Sequence, residues 1–324
     1  MRTSIGLLLA SGLVLSLAAC AAPSQPTIDG GTAVSQADCT PIWARGGLAV
    51  DVSATGDFGT TPLVADFPHP LVSHDATSSA ILSVGDGPVI GPTDIVAGTL
   101  TLFDAATGEL MTQTDKTTLV PLTSTVTPYF GAAACATVGS RVAAVGTTSE
   151  ILGDGIVEQS NLDPEFTIVA VLDIQDAYLS RARGSSVAPQ NGLPTVSLTT
   201  QGQPGLSFTN ATAPTELRAE TLIAGTGSVV AADDRVLMHY TGVLWDSHTV
   251  FDSTWDNGFP AQLSLSDVVP GLATALTGRT VGSQVLVSIP PELGYGDSPP
   301  SGSGIGASDT LVFVVDILGI LPPA

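Results

Sequence analysis

Residues 236–252 read VLMHYTGVLWDSHTVFD: an apolar alternation, a turn and a Phe-Asp pair within seventeen residues. Side chains of an extended chain point alternately to opposite faces, so Val236, Met238 and Tyr240 share one face while Leu237 and His239 share the other. Gly242 and the Asp246-Ser247 break punctuate the run, which predicts one strand returning toward another. Outward from this stretch the same reading continues, with strands expected over 220–223, 235–244, 251–253, 261–265, 284–289 and 310–318. A single amphipathic helix is expected over 270–276, with Pro270 in its first turn and Gly278 beyond its end. Strands joined by Gly/Pro turns, with one helix covering one face, make an α+β fold on an antiparallel sheet.

The first half of the chain repeats the second. Val138-Gly139-Ser140-Arg141-Val142 matches Val281-Gly282-Ser283-Gln284-Val285, and TIVAVLDI ending at Ile174 matches LVFVVDIL ending at Leu318. Gly139 and Gly282, like Asp173 and Asp316, stand 143 apart, whereas Asp94 and Asp234 upstream stand 140 apart. Two tandem copies of one fold follow, differing by a three-residue loop change. Each has a leader, AVDVSATGDFG at 49–59 and TVSLTTQGQPG at 195–205. Between them, the polar stretch 180–194 has no apolar period and reads as the linker. The expected organisation is a first unit over 40–179, the linker over 180–194, and a second unit over 195–324 with its core at 220–320.

The formal charge of −21 is scattered through both halves, which excludes nucleic acid and anionic headgroups as electrostatic partners. Arg2, the apolar run 5–19 and Cys20 have the layout of a secretory signal, and the run is too short for a comfortable membrane span. Leu17-Ala18-Ala19-Cys20 resembles the bacterial lipoprotein signal, in which segment 1–19 is removed and Cys20 is lipidated. The competing reading is a small apolar residue near an ordinary cleavage site. The first reading implies an extracytoplasmic protein held at the bacterial cell membrane by its lipid alone, with 20–39 as a flexible tether. Export places Cys39 and Cys135 in an oxidising compartment, where a disulfide between them is expected; two buried free thiols are the alternative. His69, His74, His239 and His248 lack HExxH or HxH spacing, and residues 302–307, GSGIGA, have neither the strand nor the helix of a dinucleotide fingerprint. No metal or cofactor is expected.

Tyr240 of HYTG, Phe251-Asp252 of VFDS, Val268-Val269 of VVPG, Tyr295 of GYG and Phe313 of LVFVVD occur in the order in which similar motifs stand in FKBP-type peptidyl-prolyl isomerases, and 222–320 resembles that family. The resemblance implies a curved sheet wrapped around a short helix in each unit. It implies an enzyme that twists X-Pro bonds of exported proteins without covalent chemistry. The barrier of about 18–20 kcal/mol is amide resonance, and an apolar pocket gripping the twisted state lowers it. The roles carried over make Asp252, Tyr295, Tyr240 and Phe313 catalytic, through a carboxylate near the substrate carbonyl, a donating phenol and aromatic walls. Phe251, Val268, Val269 and Leu272 would contact the prolyl ring, and the Ile305 N–H would hold the adjacent carbonyl. Proline-containing peptide segments are the implied partners, with macrolide-type inhibitors as a second ligand class.

Three departures bear on that inference. Leu272 stands where the family usually has a Trp, Ala261 where many members have a Phe, and Gly306-Ala307 where a Pro pair is usual. The first unit departs further: Leu100, Met111-Thr112, Leu152 and Ala170 occupy the positions of Tyr240, Phe251-Asp252, Tyr295 and Phe313. It is expected to keep the fold without the chemistry. The alternative for the whole is a non-catalytic peptide-binding or chaperone lipoprotein using the same pocket.

Overall fold

A computed structural model of the chain describes residues 27–32, 34–60, 63–73, 76–124, 128–188, 192–208 and 212–323. The signal segment 1–19 and Cys20 lie outside the described residues. In the first unit the strands are β1 (Ala44–Arg45), β2 (Ser53–Thr55), β3 (Val64–Asp66), β4 (Ser78–Ser83), β5 (Ile95–Asp104), β6 (Leu110–Gln113), β7 (Thr118–Pro121), β8 (Arg141–Thr147) and β9 (Thr167–Tyr178). The helices α1 (Thr148–Leu152) and α2 (Asp154–Ser160) lie between β8 and β9. The second unit has β10 (Ser185–Ser186), β11 (Thr195–Leu198), β12 (Pro204–Ser207), β13 (Arg218–Ala224), β14 (Arg235–Leu244), β15 (Val250–Ser253), β16 (Ala261–Ser264), α3 (Pro270–Leu276), β17 (Gln284–Ile289) and β18 (Leu311–Leu321).

The two seven-stranded sheets have the same strand order. One runs β1-β4-β8-β9-β5-β6 with β7 also on β5, and the other runs β10-β13-β17-β18-β14-β15 with β16 also on β14. Apart from the short parallel pair β1–β4, every pairing in both is antiparallel. The stretch quoted first supplies nearly all of β14 and the start of β15, and β14 is paired on one side with all of β18 and on the other with β15 and β16 in turn. Val236 to His239 are buried without interruption, so both faces of this strand are covered.

What covers them differs by face. On the concave side α3 lies across the sheet, and its approach depends on Gly271, where a Cβ would stand 2.4 Å from Ile289 Cγ2. On the convex side each sheet carries its own leader as a two-stranded hairpin, β2–β3 over the first and β11–β12 over the second. Val52, Leu63 and Phe67 pack there with Val145, Val169 and Val171. Val196, Leu206 and Phe208 do the same beside Leu286, Val312 and Val314. The leaders seen in the sequence are thus lids that bury the second face of each sheet, where charged side chains would otherwise be needed.

Three expectations change. The stretch 20–39 is not a free tether along its described part: Ile28 is buried, Asp29 Oδ1 accepts from the Ser228 N–H at 2.8 Å, and Cys39 is disulfide-bonded to Cys135 with their Cα atoms 5.6 Å apart. An apolar anchor and a carboxylate aimed at a free backbone N–H outweigh the flexible composition around them. The linker is packed rather than loose, since β10 pairs with β13, the Ala182 N–H donates to Asp316 Oδ2 at 2.8 Å, and Arg183 pairs with Asp94 at 3.2 Å. Finally, the first unit has only the 3-10 turn Gly131–Ala133 where α3 lies in the second, and its helices α1 and α2 come later. Their start is a capping box in which the Thr147 side chain accepts from the Glu150 N–H and Glu150 reaches back.

Candidate functional site

The concave face of the second sheet, α3 and the strand ends around them enclose a cavity of about 360 Å³. Its lining contains Tyr240, Phe251, Asp252, Val268, Val269, Leu272, Tyr295 and Phe313 together with Leu263 and Asp267. Tyr240 projects from β14, Phe251 and Asp252 from β15, and Phe313 from β18. Gly242 pairs with Asp252 on one side and Phe313 on the other. A Cβ at Gly242 would stand 2.5 Å from Phe251 Cζ and 2.9 Å from Phe313 Cε1, so only glycine lets both rings close over the strand.

The aromatic walls are fixed edge to face. Phe251 meets Phe313 at 5.5 Å between centroids and 88°, and Tyr240 meets Phe313 at 6.0 Å and 64°. Such contacts between quadrupoles hold ring positions that simple burial would leave free to rotate. Phe313 is buried, Tyr240 and Phe251 are half-buried, and Asp252 is exposed at the mouth. The Tyr240 hydroxyl donates to Asp252 Oδ2 at 2.5 Å, which aims one carboxylate oxygen across the opening. Burial first, and then that carboxylate, push the Tyr240 phenol well above its ordinary value, so it stays a neutral donor.

Leu272, buried in the first turn of α3, forms the floor, with Val268 and Val269 just before the helix as the adjoining wall. Tyr295 follows the 3-10 turn Pro291–Leu293 and closes the opposite side. Ile305 is the one predicted site residue outside this lining. It is partly buried against the core, and its N–H donates to Ser303 Oγ at 3.2 Å. That hydroxyl occupies the donor expected to hold a substrate carbonyl. Leu263 and Asp267 are the members that sequence reasoning missed. Leu263 was legible as an alternate residue of β16, whereas Asp267 belongs to the turn that delivers the chain to α3.

The matching position in the first unit lacks these side chains. Leu100 and Ala170 stand in register with Tyr240 and Phe313, and the chain that would frame the opening folds into α1 and α2. Ile151, Leu152 and Val157 from these helices are buried in one cluster with Leu100, Ala170 and Phe130. Among the described residues no group of three or more His, Cys, Asp or Glu could hold a metal ion, and no helix is long and apolar enough to cross a membrane.

Residues 227–318 match the family described as FKBP-type peptidyl-prolyl cis-trans isomerase. The chain is 46% identical over 97 residues to the FKBP-type 22 kDa peptidyl-prolyl cis-trans isomerase of Escherichia coli, spanning 30% of this chain and 46% of that protein, less than half its length. It is 32% identical over 120 residues to an FK506-binding protein of Streptomyces anulatus, and 34% identical over 117 to a probable FK506-binding protein of Corynebacterium glutamicum. In both cases the match spans 36% of this chain and 97% of the relative. Among solved structures, FkpA from Escherichia coli is similar at 30% identity and TM-score 0.30, over 39% of this chain and 52% of that one.

Proposed function

This chain belongs to the FKBP-type peptidyl-prolyl cis-trans isomerases, and from that premise we propose that its second unit isomerises X-Pro bonds in exported proteins at the outer face of the bacterial cell membrane. The observation that carries the reading is the convergence of Tyr240, Phe251, Asp252, Tyr295 and Phe313 on one apolar cavity floored by Leu272. A prolyl ring entering it leaves water, and its amide loses the hydration that favours the planar, charge-separated form. The Asp252 carboxylate then faces the carbonyl carbon side of the twisting amide, while the Tyr295 phenol can donate to a neighbouring carbonyl. No proton is transferred, because the reaction makes and breaks only a torsional barrier. Placement outside the cytoplasm rests on the signal-like segment and on the disulfide, with Cys20 as the lipid-bearing residue.

Isomerisation of a proline tetrapeptide by the chain tests this. Asp252→Val is expected to lower kcat/KM by about tenfold, roughly 1.4 kcal/mol of transition-state stabilisation, and Tyr295→Phe by a smaller factor. Wild-type activity in the double variant would remove the site assignment. Any rate left in that variant is expected to come from the second unit, since Leu100 and Ala170 stand in the first where Tyr240 and Phe313 stand in the second. One observation favours a second reading, a module that holds proline segments without turning them over: the engagement of the Ile305 N–H by Ser303 removes a donor that the reaction would use. Peptide binding with no catalysis in the wild type is the outcome that supports it.

A further inference from the structure

The cavity walls are apolar and its mouth is acidic. Asp252 and Asp267 both contribute to the lining, which contains no lysine, arginine or histidine. The two stretches that frame the opening, 245–278 and 291–309, carry seven acidic residues without a single lysine or arginine. The two carboxylates differ in how they are engaged. Asp252 accepts from the Tyr240 hydroxyl, whereas among the described residues Asp267 Oδ1 accepts from the Ser266 hydroxyl of the same exposed turn alone. Asp267 immediately precedes Val268 and Val269, the wall expected to receive the prolyl ring. A residue adjoining that proline in a bound chain would lie beside this carboxylate, which has no ion-pair partner among the described residues.

From this arrangement we propose that the site selects proline segments that carry a lysine or arginine next to the proline, and that Asp267 is a specificity-determining residue. The inference rests on the isomerase reading of the same cavity. An apolar pocket takes the ring of any proline and cannot distinguish its neighbours, so discrimination falls to the charges at the rim. There a favourable partner is attracted and an acidic one is repelled by the same field. The attraction is a surface effect acting across water, so it is screened as salt rises and the Debye length shrinks from about 30 Å at 0.01 M toward about 8 Å at 0.15 M.

Isomerisation kinetics of the chain on Ala-Xaa-Pro-Phe peptides, with Xaa as Lys, Leu or Glu, test the proposal at low and at physiological salt. Rates are referred to the Leu peptide on the same variant, so any general loss of activity cancels. The expected order of kcat/KM is Lys over Leu over Glu. The Lys-to-Glu ratio should be about tenfold at low salt, contracting at higher salt, and should fall about threefold further in Asp267→Asn. A wild-type ratio near unity, or a ratio unmoved by Asp267→Asn, overturns the proposal. Calorimetric titration with the same peptides reads the ratio as affinity where no turnover is seen, so failure of catalysis and failure of charge selection give different results.

Discussion

His239 and Asp316 face each other in register across β14 and β18, on the side of the sheet away from the pocket. Both are buried: His239 Nδ1 contacts Thr254 Oγ1 at 2.8 Å while its ring stacks on Trp255 at 4.2 Å, and Asp316 accepts from Gln284 Nε2 and the Ala182 N–H. Burial lowers the imidazole to about 4 and raises the carboxyl to about 6, so the folded state disfavours the charged form of both. The two consequences for stability have opposite signs. For Asp316, the contribution present below about pH 4 is lost as pH rises through about 6, because the folded carboxyl holds its proton longer than the unfolded one. For His239, the contribution present above about pH 6.5 is lost as pH falls toward about 4, because the unfolded imidazole takes up its proton first. Between pH 4 and 6 the two slopes cancel. Urea unfolding at four pH values from 4 to 7 is expected to show Asp316→Asn losing stability relative to wild type on acidification, and His239→Gln losing it on the rise to pH 6. Each slope is at most about 1.4 kcal/mol per pH unit. Parallel profiles for the wild type and both variants would contradict this. In the first unit Arg141 and Asp173 occupy the positions of Gln284 and Asp316, with nitrogen–oxygen distances of 2.6 and 2.8 Å, so the row holds a paired charge there and a neutral amide here.

At the level of elements, α3 fixes the pocket floor through the closeness of Gly271 to Ile289. Gly271→Ala is expected to cost about 1–3 kcal/mol through overpacking. It is also expected to raise KM for proline peptides, since Leu272 must move with the helix. Denaturation and steady-state kinetics check the two effects separately, and an unchanged stability would refute the packing argument. This helix was legible in the sequence to the residue, because proline at its first position and glycine beyond its end are local signals that no tertiary contact overrides. Strands β14 and β17 were legible for a similar reason, since their apolar residues run between clear turn signals. The helices α1 and α2 were not. The only local marks are the Thr147–Glu150 capping box and the apolar residues Ile151, Leu152, Ile156 and Val157, a pattern too short to compete with the strand periodicity around it. The docking of the linker was equally hidden, since it depends on single polar contacts from Ala182 and Arg183 to partners distant in the chain. Asp267 escaped notice because turn residues follow no periodicity, and only the fold shows which way the turn faces.

Across the whole molecule, the N-terminal arm joins both units. Asp29 is held on the Ser228 backbone of the second unit, and the Cys39–Cys135 disulfide, spanning 96 residues of sequence, fastens the arm to the first. Closing a loop of that length restrains the unfolded chain by about 4–5 kcal/mol in the chain-entropy account. Cys39→Ser with Cys135→Ser is therefore expected to lower unfolding free energy by a comparable amount under non-reducing conditions, and a loss below about 1 kcal/mol would show that the arm is held by its other contacts. Arg183 ties the linker to Asp94 of the first unit, and the Leu179 N–H donates to the Leu318 carbonyl at 3.4 Å, a further link between the units. The docked arm also sets a leash. Seven residues separate Cys20 from Ile28, and even a fully extended chain of that length reaches no more than about 28 Å. An acyl group on Cys20 would hold the body of the protein within roughly one domain diameter of the lipid surface. The length of this arm, rather than the size of either unit, would then set how far the body can stand from the surface that holds it.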